Sequence, residues 1–178
     1  MISEEYKPIV GWDKFYSVSN LGNIKNITTN KTLKPFISNG YYLVKLANPK
    51  KQLRVHRLVA KAFVSNPNML GIVDHADNDK LNNNSNNLRW CTPAQNRYNS
   101  KGYGKSKYIG VSEHTSKNKY FKKKTKEEVV YTSTRWLAHI KVGDKYMHLG
   151  RFINEEDAAQ AYDNAAIIHH GEFANLNF

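Results

Sequence analysis

Val73-Asp74-His75-Ala76-Asp77-Asn78-Asp79-Lys80, followed a few residues later by Asn87-Leu88-Arg89-Trp90-Cys91-Thr92-Pro93-Ala94-Gln95-Asn96, decides how this chain is read. Gly71-Ile72-Val73-Asp74-His75 has the β-branched character of a short strand, and Leu88-Arg89-Trp90-Cys91 reads as a second. The loop between them is polar and carries Asn78, Asn82, Asn83, Asn84, Asn86 and Asn87. Thr92 then suits a helix N-cap, Pro93 the first helical position, and Gln95 the far side of a capping box. The order is strand, long loop, strand, helix.

Four residues of this hook can carry chemistry: Asp74, His75, Asn87 and Asn96. Asp74 offers a carboxylate and Asn96 a carbonyl oxygen, the donors a hard cation such as Mg²⁺ prefers. An imidazole, with an ordinary pKa near ~6.5, is neutral at physiological pH and can take a proton from water. Strand alternation sends Asp74 and His75 to opposite faces unless the strand breaks at His75. Taken singly, each is also an ordinary turn or loop residue; the joint spacing is what points to catalysis.

Upstream, Val55, Leu58, Val59, Ala62 and Phe63 fall on one face of a short helix that Asn66-Pro67-Asn68 ends. Residues 6–46 predict short strands broken at Gly11, Asn20-Leu21-Gly22 and Asn39-Gly40. Downstream, residues 97–107 predict a basic, flexible linker. Beyond it, Tyr108–Ser112, Arg135–Val142 and Tyr146–Phe152 read as strands, with a tight turn at Gly143-Asp144. Asn154 reads as the N-cap of a helix with an acidic first turn, whose buried face is Ala158, Ala161, Tyr162 and Ala165 and which Gly171 ends.

The 178 residues carry a formal charge of +12, distributed as +6 over residues 1–54, +1 over 55–96 and +5 over 97–178. Basic flanks around a nearly neutral centre favour a polyanionic partner, since Lys and Arg displace counterions from phosphates; the alternative is a solvated surface. No apolar run approaches the ~20 residues of a membrane span, and the acidic start Met1-Ile2-Ser3-Glu4-Glu5 is no secretory signal. The single cysteine, Cys91, excludes an internal disulfide framework and a cysteine-based zinc site, and predicts an intracellular protein.

The stretch from Val73 to Asn96, with the preceding His56-Arg57-Leu58-Val59-Ala60-Lys61-Ala62-Phe63, resembles the HNH motif of phage and intron-borne homing endonucleases. The resemblance implies a ββα-metal fold, His75 as general base, Asp74 and Asn96 as ligands of Mg²⁺ or Mn²⁺, and Asn87 as a brace of the loop. The last position is Asn where other members have His. His56 reads as a structural histidine at a helix start, with a phosphate contact as the other reading. Residues 4–26, with Tyr6-Lys7-Pro8-Ile9, Gly11-Trp12 and Ser19-Asn20-Leu21-Gly22, resemble the small module that precedes HNH motifs in homing nucleases. That resemblance implies that Lys25, Lys31, Lys34 and Lys45 either contact the DNA backbone or are plain surface lysines.

Ser106-Lys107-Tyr108-Ile109-Gly110-Val111, Trp136-Leu137-Ala138-His139-Ile140, His148-Leu149-Gly150-Arg151-Phe152 and Glu156-Asp157-Ala158-Ala159-Gln160-Ala161-Tyr162-Asp163 resemble the plant ethylene-response-factor type of DNA-binding domain. Members lay a three-stranded sheet in the major groove, where base edges carry a readable code. Alternation then sends Trp136, Ala138, Ile140 and Val142 toward the helix, and Arg135, His139, Lys141, Tyr146, His148 and Arg151 toward DNA. An insertion at 115–134, rich in lysine, predicts a mobile hairpin or loop touching phosphates.

The expected architecture is therefore α+β in four segments. A nuclease-associated module at 1–54 precedes an HNH nuclease at 55–99, a linker at 100–107 and an ethylene-response-factor-like domain at 108–178. The expected function is site-directed cleavage of double-stranded DNA by a single divalent metal and a histidine base, with no membrane or small-molecule partner. A monomer on DNA is expected, for which one centre per chain makes nicking the simpler outcome, in the cytoplasm of a bacterial or phage-infected cell. A DNA-binding regulator with a vestigial nuclease centre is the other reading.

Overall fold

The computed structural model describes residues 3–99 and 105–178 and divides into two compact units, Met1–Asn96 and Arg97–Phe178. Of the linker expected at 100–107, residues 100–104 lie outside the described residues. Both units mix helix and strand, so the fold is α+β. Among the described residues no helix is long and apolar enough to cross a membrane.

In the first unit, β1 (Tyr6–Pro8), β2 (Tyr16–Ser19), β3 (Ile24–Asn26) and β4 (Thr32–Leu33) form one antiparallel sheet in chain order. A second sheet holds β5 (Phe36–Ser38), β6 (Tyr41–Leu46) and β7 (Lys51–Arg54). Asn39 and Gly40, at φ of 51° and 77°, join β5 to β6 in the left-handed two-residue turn that an Asn-Gly pair favours. Helix α1 (Val55–Phe63) follows β7 directly. Its N-cap position, Arg54, makes no side-chain capping bond, so the helix owes its stability to packing of Val55, Leu58 and Val59. The hairpin of β8 (Ile72–His75) and β9 (Leu88–Cys91) comes next, then α2 (Pro93–Tyr98). Trp90 donates its indole N–H to the Val64 carbonyl at 3.2 Å and ties β9 to the end of α1.

Val18, Ile24, Val44 and Leu46 share one core with Val55, Val59, Val73 and Leu88. The segments expected at 1–54 and 55–99 thus bury their apolar faces against each other. Ser19-Asn20-Leu21-Gly22 makes a turn in which the Ser19 hydroxyl accepts the backbone N–H of Asn23 at 2.9 Å.

In the second unit, β10 (Val111–Phe121), β11 (Glu128–Val142) and β12 (Lys145–Phe152) form an antiparallel sheet in chain order. Helix α3 (Glu155–His170) packs Ala158, Ala159, Tyr162, Ala165 and Ala166 against Val111, Ala138 and Ile140. Ala161, expected on that face, is only partly buried. Gly110, at φ +73°, lies so close to Tyr162 that a Cβ there would stand 2.0 Å from the ring. The buried Asp163 carboxylate accepts the backbone N–H groups of Asn177 and Phe178 and pins the C-terminal segment.

Two local expectations change. Tyr108–Ser112 is not the first strand: β10 starts at Val111 and runs to Phe121, because cross-strand pairing with β11 carries it far past Ser112. Asn154 occupies the N-cap of α3 without its side-chain oxygen accepting a capping bond; its amide N–H donates to Asp157 Oδ2 at 3.0 Å.

Candidate active site and nucleic-acid surface

The helix signal after β9 is met in full. Gln95 Oε1 accepts the Thr92 N–H at 2.8 Å while Thr92 Oγ1 accepts the Gln95 N–H at 3.2 Å. This reciprocal box starts α2 and presents Asn96, which is exposed, one turn beyond the strand end.

Strand β8 ends at His75, and Val73, Asp74 and His75 are all buried. Asp74 stands opposite Arg89 in the register. Arg89 donates Nε and Nη2 to Asp74 Oδ2 at 2.9 and 2.8 Å, a nearly dry ion pair. The Asp74 charge reaches in two directions. It acts on His75, and it helps raise the Cys91 thiol to about 11, where burial is the larger cause. Cys91 in turn sits 4.0 Å from Asn96 Oδ1 through its S–H. The buried Cys91 thiol thus contacts Asn96 and feels the Asp74 charge.

His75 faces a different group. Its ring meets His56 edge-on with centroids 5.0 Å apart, and Tyr41 lies 6.1 Å away. Burial lowers the His75 pKa from its ordinary value; the neighbouring Asn83 side chain and the charges of Asp74, Asp77 and Asp79 oppose that fall. His56 is pushed down to about 3, first by burial, then by His75, Arg54 and Arg57. Both imidazoles are neutral at pH 7. Arg54 and Lys80 cover the Tyr41 ring at 4.7 and 5.2 Å, which puts two cations beside the pair.

Asn87 sits at the base of the loop. Its amide donates to Asp77 Oδ1 at 2.8 Å and to the Asn82 carbonyl at 2.9 Å, and its Oδ1 accepts the Asp77 N–H at 3.0 Å. The Ala76 N–H reaches the Asn87 carbonyl at 2.9 Å. One side chain thus closes the loop from 76 to 87.

Several contributors stand outside the four residues singled out by spacing. Asn83, one asparagine among many in the loop, is buried at 6% exposure beside His75. His56, read from the sequence as a structural histidine, packs on the His75 ring. Arg89 supplies the counter-charge to Asp74. Residue type alone gave Arg89 no role, and only the β8–β9 register sets it across from Asp74.

The sequence pattern implies a divalent ion, and the donor chemistry fits one. Among the described residues no group of three or more His, Cys, Asp or Glu could hold a metal ion by itself. An aspartate and an asparagine oxygen suit a cation that keeps several waters and completes its shell with phosphate.

In the second unit, His139 pairs with His148 and Lys141 with Tyr146 across β11 and β12, and Leu137 with Arg151. A bulge between Ala138 and His139 shifts the register without turning these side chains to the helix. Arg135 pairs with His114 of β10. All six residues expected at DNA lie on the sheet face opposite α3. His139 is lowered from its ordinary pKa, chiefly by burial and then by His148. In the first unit, Lys25 lies over the Tyr6 ring at 4.4 Å and Lys45 over Phe36 at 5.2 Å, while Lys34 is exposed.

Comparison with known proteins matches residues 4–47 to the NUMOD4 motif and residues 53–98 to the HNH endonuclease family. The chain is 44% identical over 94 residues to the uncharacterized HNH endonuclease L245 of Acanthamoeba polyphaga mimivirus, covering 52% of this chain and 28% of that protein. It is 41% identical over 103 residues to the DNA endonuclease I-HmuI of Bacillus phage SP01, covering 56% of this chain and 59% of that one. These relatives are matched over less than two thirds of their own length. A solved structure described as "DNA binding and cleavage by the HNH homing endonuclease I-HmuI" is similar at 43% identity and a TM-score of 0.45, over 49% of this chain and 52% of that one. A segment is also 38% identical over 77 residues to the ethylene-responsive transcription factor WRI1 of Arabidopsis thaliana, covering 42% of this chain and 14% of that protein. This chain carries a NUMOD4 motif followed by an HNH endonuclease domain.

Proposed function

We propose that the chain is a metal-dependent DNA endonuclease of the homing type that hydrolyses one phosphodiester bond per centre. The observation that carries this reading is the buried, neutral imidazole of His75 at the end of β8, directly after Asp74. A neutral imidazole can accept the proton of an attacking water, and burial keeps that role available at physiological pH. Asp74 and Asn96 are the oxygen donors for Mg²⁺ or Mn²⁺. Once bound, such an ion supplies charge neutralisation at the phosphate and leaving oxygen. Arg89 holds the Asp74 carboxylate in place, and Asn87 keeps the loop closed behind His75. Duplex DNA is the partner. Arg135, His139, Lys141, Tyr146, His148 and Arg151 form its sheet surface in the second unit, and Lys25 and Lys34 are backbone contacts of the first. The chain acts as a monomer on DNA, with domain limits near residues 54, 99 and 107.

The test pairs cleavage with binding. Plasmid incubated with Mg²⁺ is cut by the protein and left intact with chelator. For His75→Ala, cleavage falls by about 10²–10⁴ while duplex affinity stays within about twofold. Undiminished cutting by this variant would sink the assignment. The second reading, a DNA-binding regulator with a vestigial centre, is favoured by the similarity of one segment to a plant transcription factor; it requires binding without any cleavage in Mg²⁺.

A further inference from the structure

The strands β10 and β11 pair from Val111↔Ala138 out to Phe121↔Glu128, whereas β12 joins β11 only from Trp136 to Val142. Beyond His114↔Arg135 the sheet is therefore two strands wide, over the pairs from Thr115↔Thr134 to Phe121↔Glu128. At ~3.4 Å per residue this ribbon projects by roughly 20 Å. It builds none of the core, since no residue from 112 to 137 is buried. A projecting element that adds nothing to the hydrophobic core and still exposes large apolar side chains marks a candidate interaction surface.

Its chemistry is specific. Residues 115–134 hold six lysines and two glutamates. Lys119 pairs with Glu128 at 3.3 Å and Lys122 with Glu127 at 2.8 Å, so both acids are already neutralised. Lys117, Lys123, Lys124 and Lys126 have no ion-pair partner among the described residues. On one face Tyr120 and Tyr131 meet edge to face at 6.1 Å, 51% and 49% exposed. Four uncompensated cations flanking exposed aromatic rings suit a polyanion that also presents flat, apolar surface. Duplex DNA is such a polyanion, and its major groove, about 12 Å wide and 8.5 Å deep, admits a two-stranded ribbon.

We propose that the ribbon 115–134 is a second DNA-contacting element, distinct from the β11–β12 sheet face, that enters the major groove of duplex DNA. Lys117, Lys123, Lys124 and Lys126 lie on phosphates and the Tyr120–Tyr131 face lies against the groove wall. The inference rests on the reading that the partner is duplex DNA, and it extends the contacted length beyond the sheet.

The experiment uses the full chain and the variant K117Q/K123Q/K124Q/K126Q, with Y120S/Y131S as a second arm. The lysine variant keeps its Tm, and the slope of log Kobs against log[salt] for duplex binding becomes shallower by about 3 to 4, at ~0.9 per phosphate contact. Its footprint loses protection on one flank, and the tyrosine variant loses the same flank with the slope intact. An unchanged slope and footprint in a protein that still cuts plasmid would overturn the ribbon alone. Competition by single-stranded RNA at lower concentration than by duplex would overturn the choice of DNA. Duplex binding without cleavage by the unaltered chain would remove the nuclease reading and leave the ribbon standing if the slope changes as stated.

Discussion

The imidazoles of His56 and His75 meet edge to face, with centroids 5.0 Å apart and planes at 66°. One comes from the first turn of α1 and the other from the end of β8, so the helix packs a second histidine directly onto the proposed base. The contact has a consequence for stability. His56 is held at about 3 by burial, His75, Arg54 and Arg57, against ~6.5 in an unfolded chain. Between those values the unfolded chain takes up a proton that the folded protein excludes. Stability therefore falls as pH drops from about 6.5 toward 3 and is unaffected by this group at higher pH. In His56→Gln the slope of unfolding free energy against pH near pH 5 is shallower by up to ~1.4 kcal/mol per unit, read by urea titration at several pH values. Equal slopes in the two proteins would contradict the assignment.

Arg89 and Asp74 make a nearly dry ion pair across the β8–β9 hairpin. Removing one partner strands the other charge, so Arg89→Leu destabilises by about 3 kcal/mol. Replacing both, in D74L/R89L, restores most of that stability, because a buried pair is roughly matched by apolar residues of similar size. Cleavage does not return in the double variant. Denaturant midpoints and a plasmid assay on the three proteins separate the two effects; recovery of cutting would exclude Asp74 as a donor.

Gly22 adopts φ +93°, and a Cβ there would lie 2.9 Å from Asn83 Cβ. Ser85 donates its N–H to the Asn20 carbonyl at 2.8 Å alongside. The turn of the NUMOD4 motif is thus the seat of the loop between β8 and β9. Gly22→Ala adds backbone strain of about 1–3 kcal/mol and pushes Asn83 away from His75, so both the denaturant midpoint and the cleavage rate fall. In G22A/N83G the clash is relieved while the φ strain stays, and stability recovers in part. A Gly22→Ala protein with the original midpoint would remove this coupling.

Local signals carried a long way. The Thr92–Gln95 capping box, the Asn39-Gly40 turn and the helical period of α1 depend on residues within one or two turns, so spacing alone placed them. Alternation also sorted β11 and β12 correctly despite the bulge at Ala138/His139, since the helix-facing residues remained small or apolar. Asn154 was likewise legible as the N-cap of α3, and only the absence of its side-chain capping bond was not, because that depends on whether its oxygen meets a backbone N–H. The lysine-rich stretch at 115–134 read as a hairpin or a loop, and pairing between its two arms makes it a hairpin that extends both strands. Asn83 was indistinguishable from its neighbours, because nothing in a run of asparagines says which one is covered.

The sequence by itself determined the strand–loop–strand–helix hook, the identity of Asp74, His75, Asn87 and Asn96, and the basic flanks, because each follows from residue type and near-neighbour spacing. Only tertiary packing decided that His56 and Asn83 stand against His75, that Arg89 holds Asp74, and that Gly22 supports the loop. Those relationships join residues 8 to 61 positions apart, and their geometry depends on how one shared core closes.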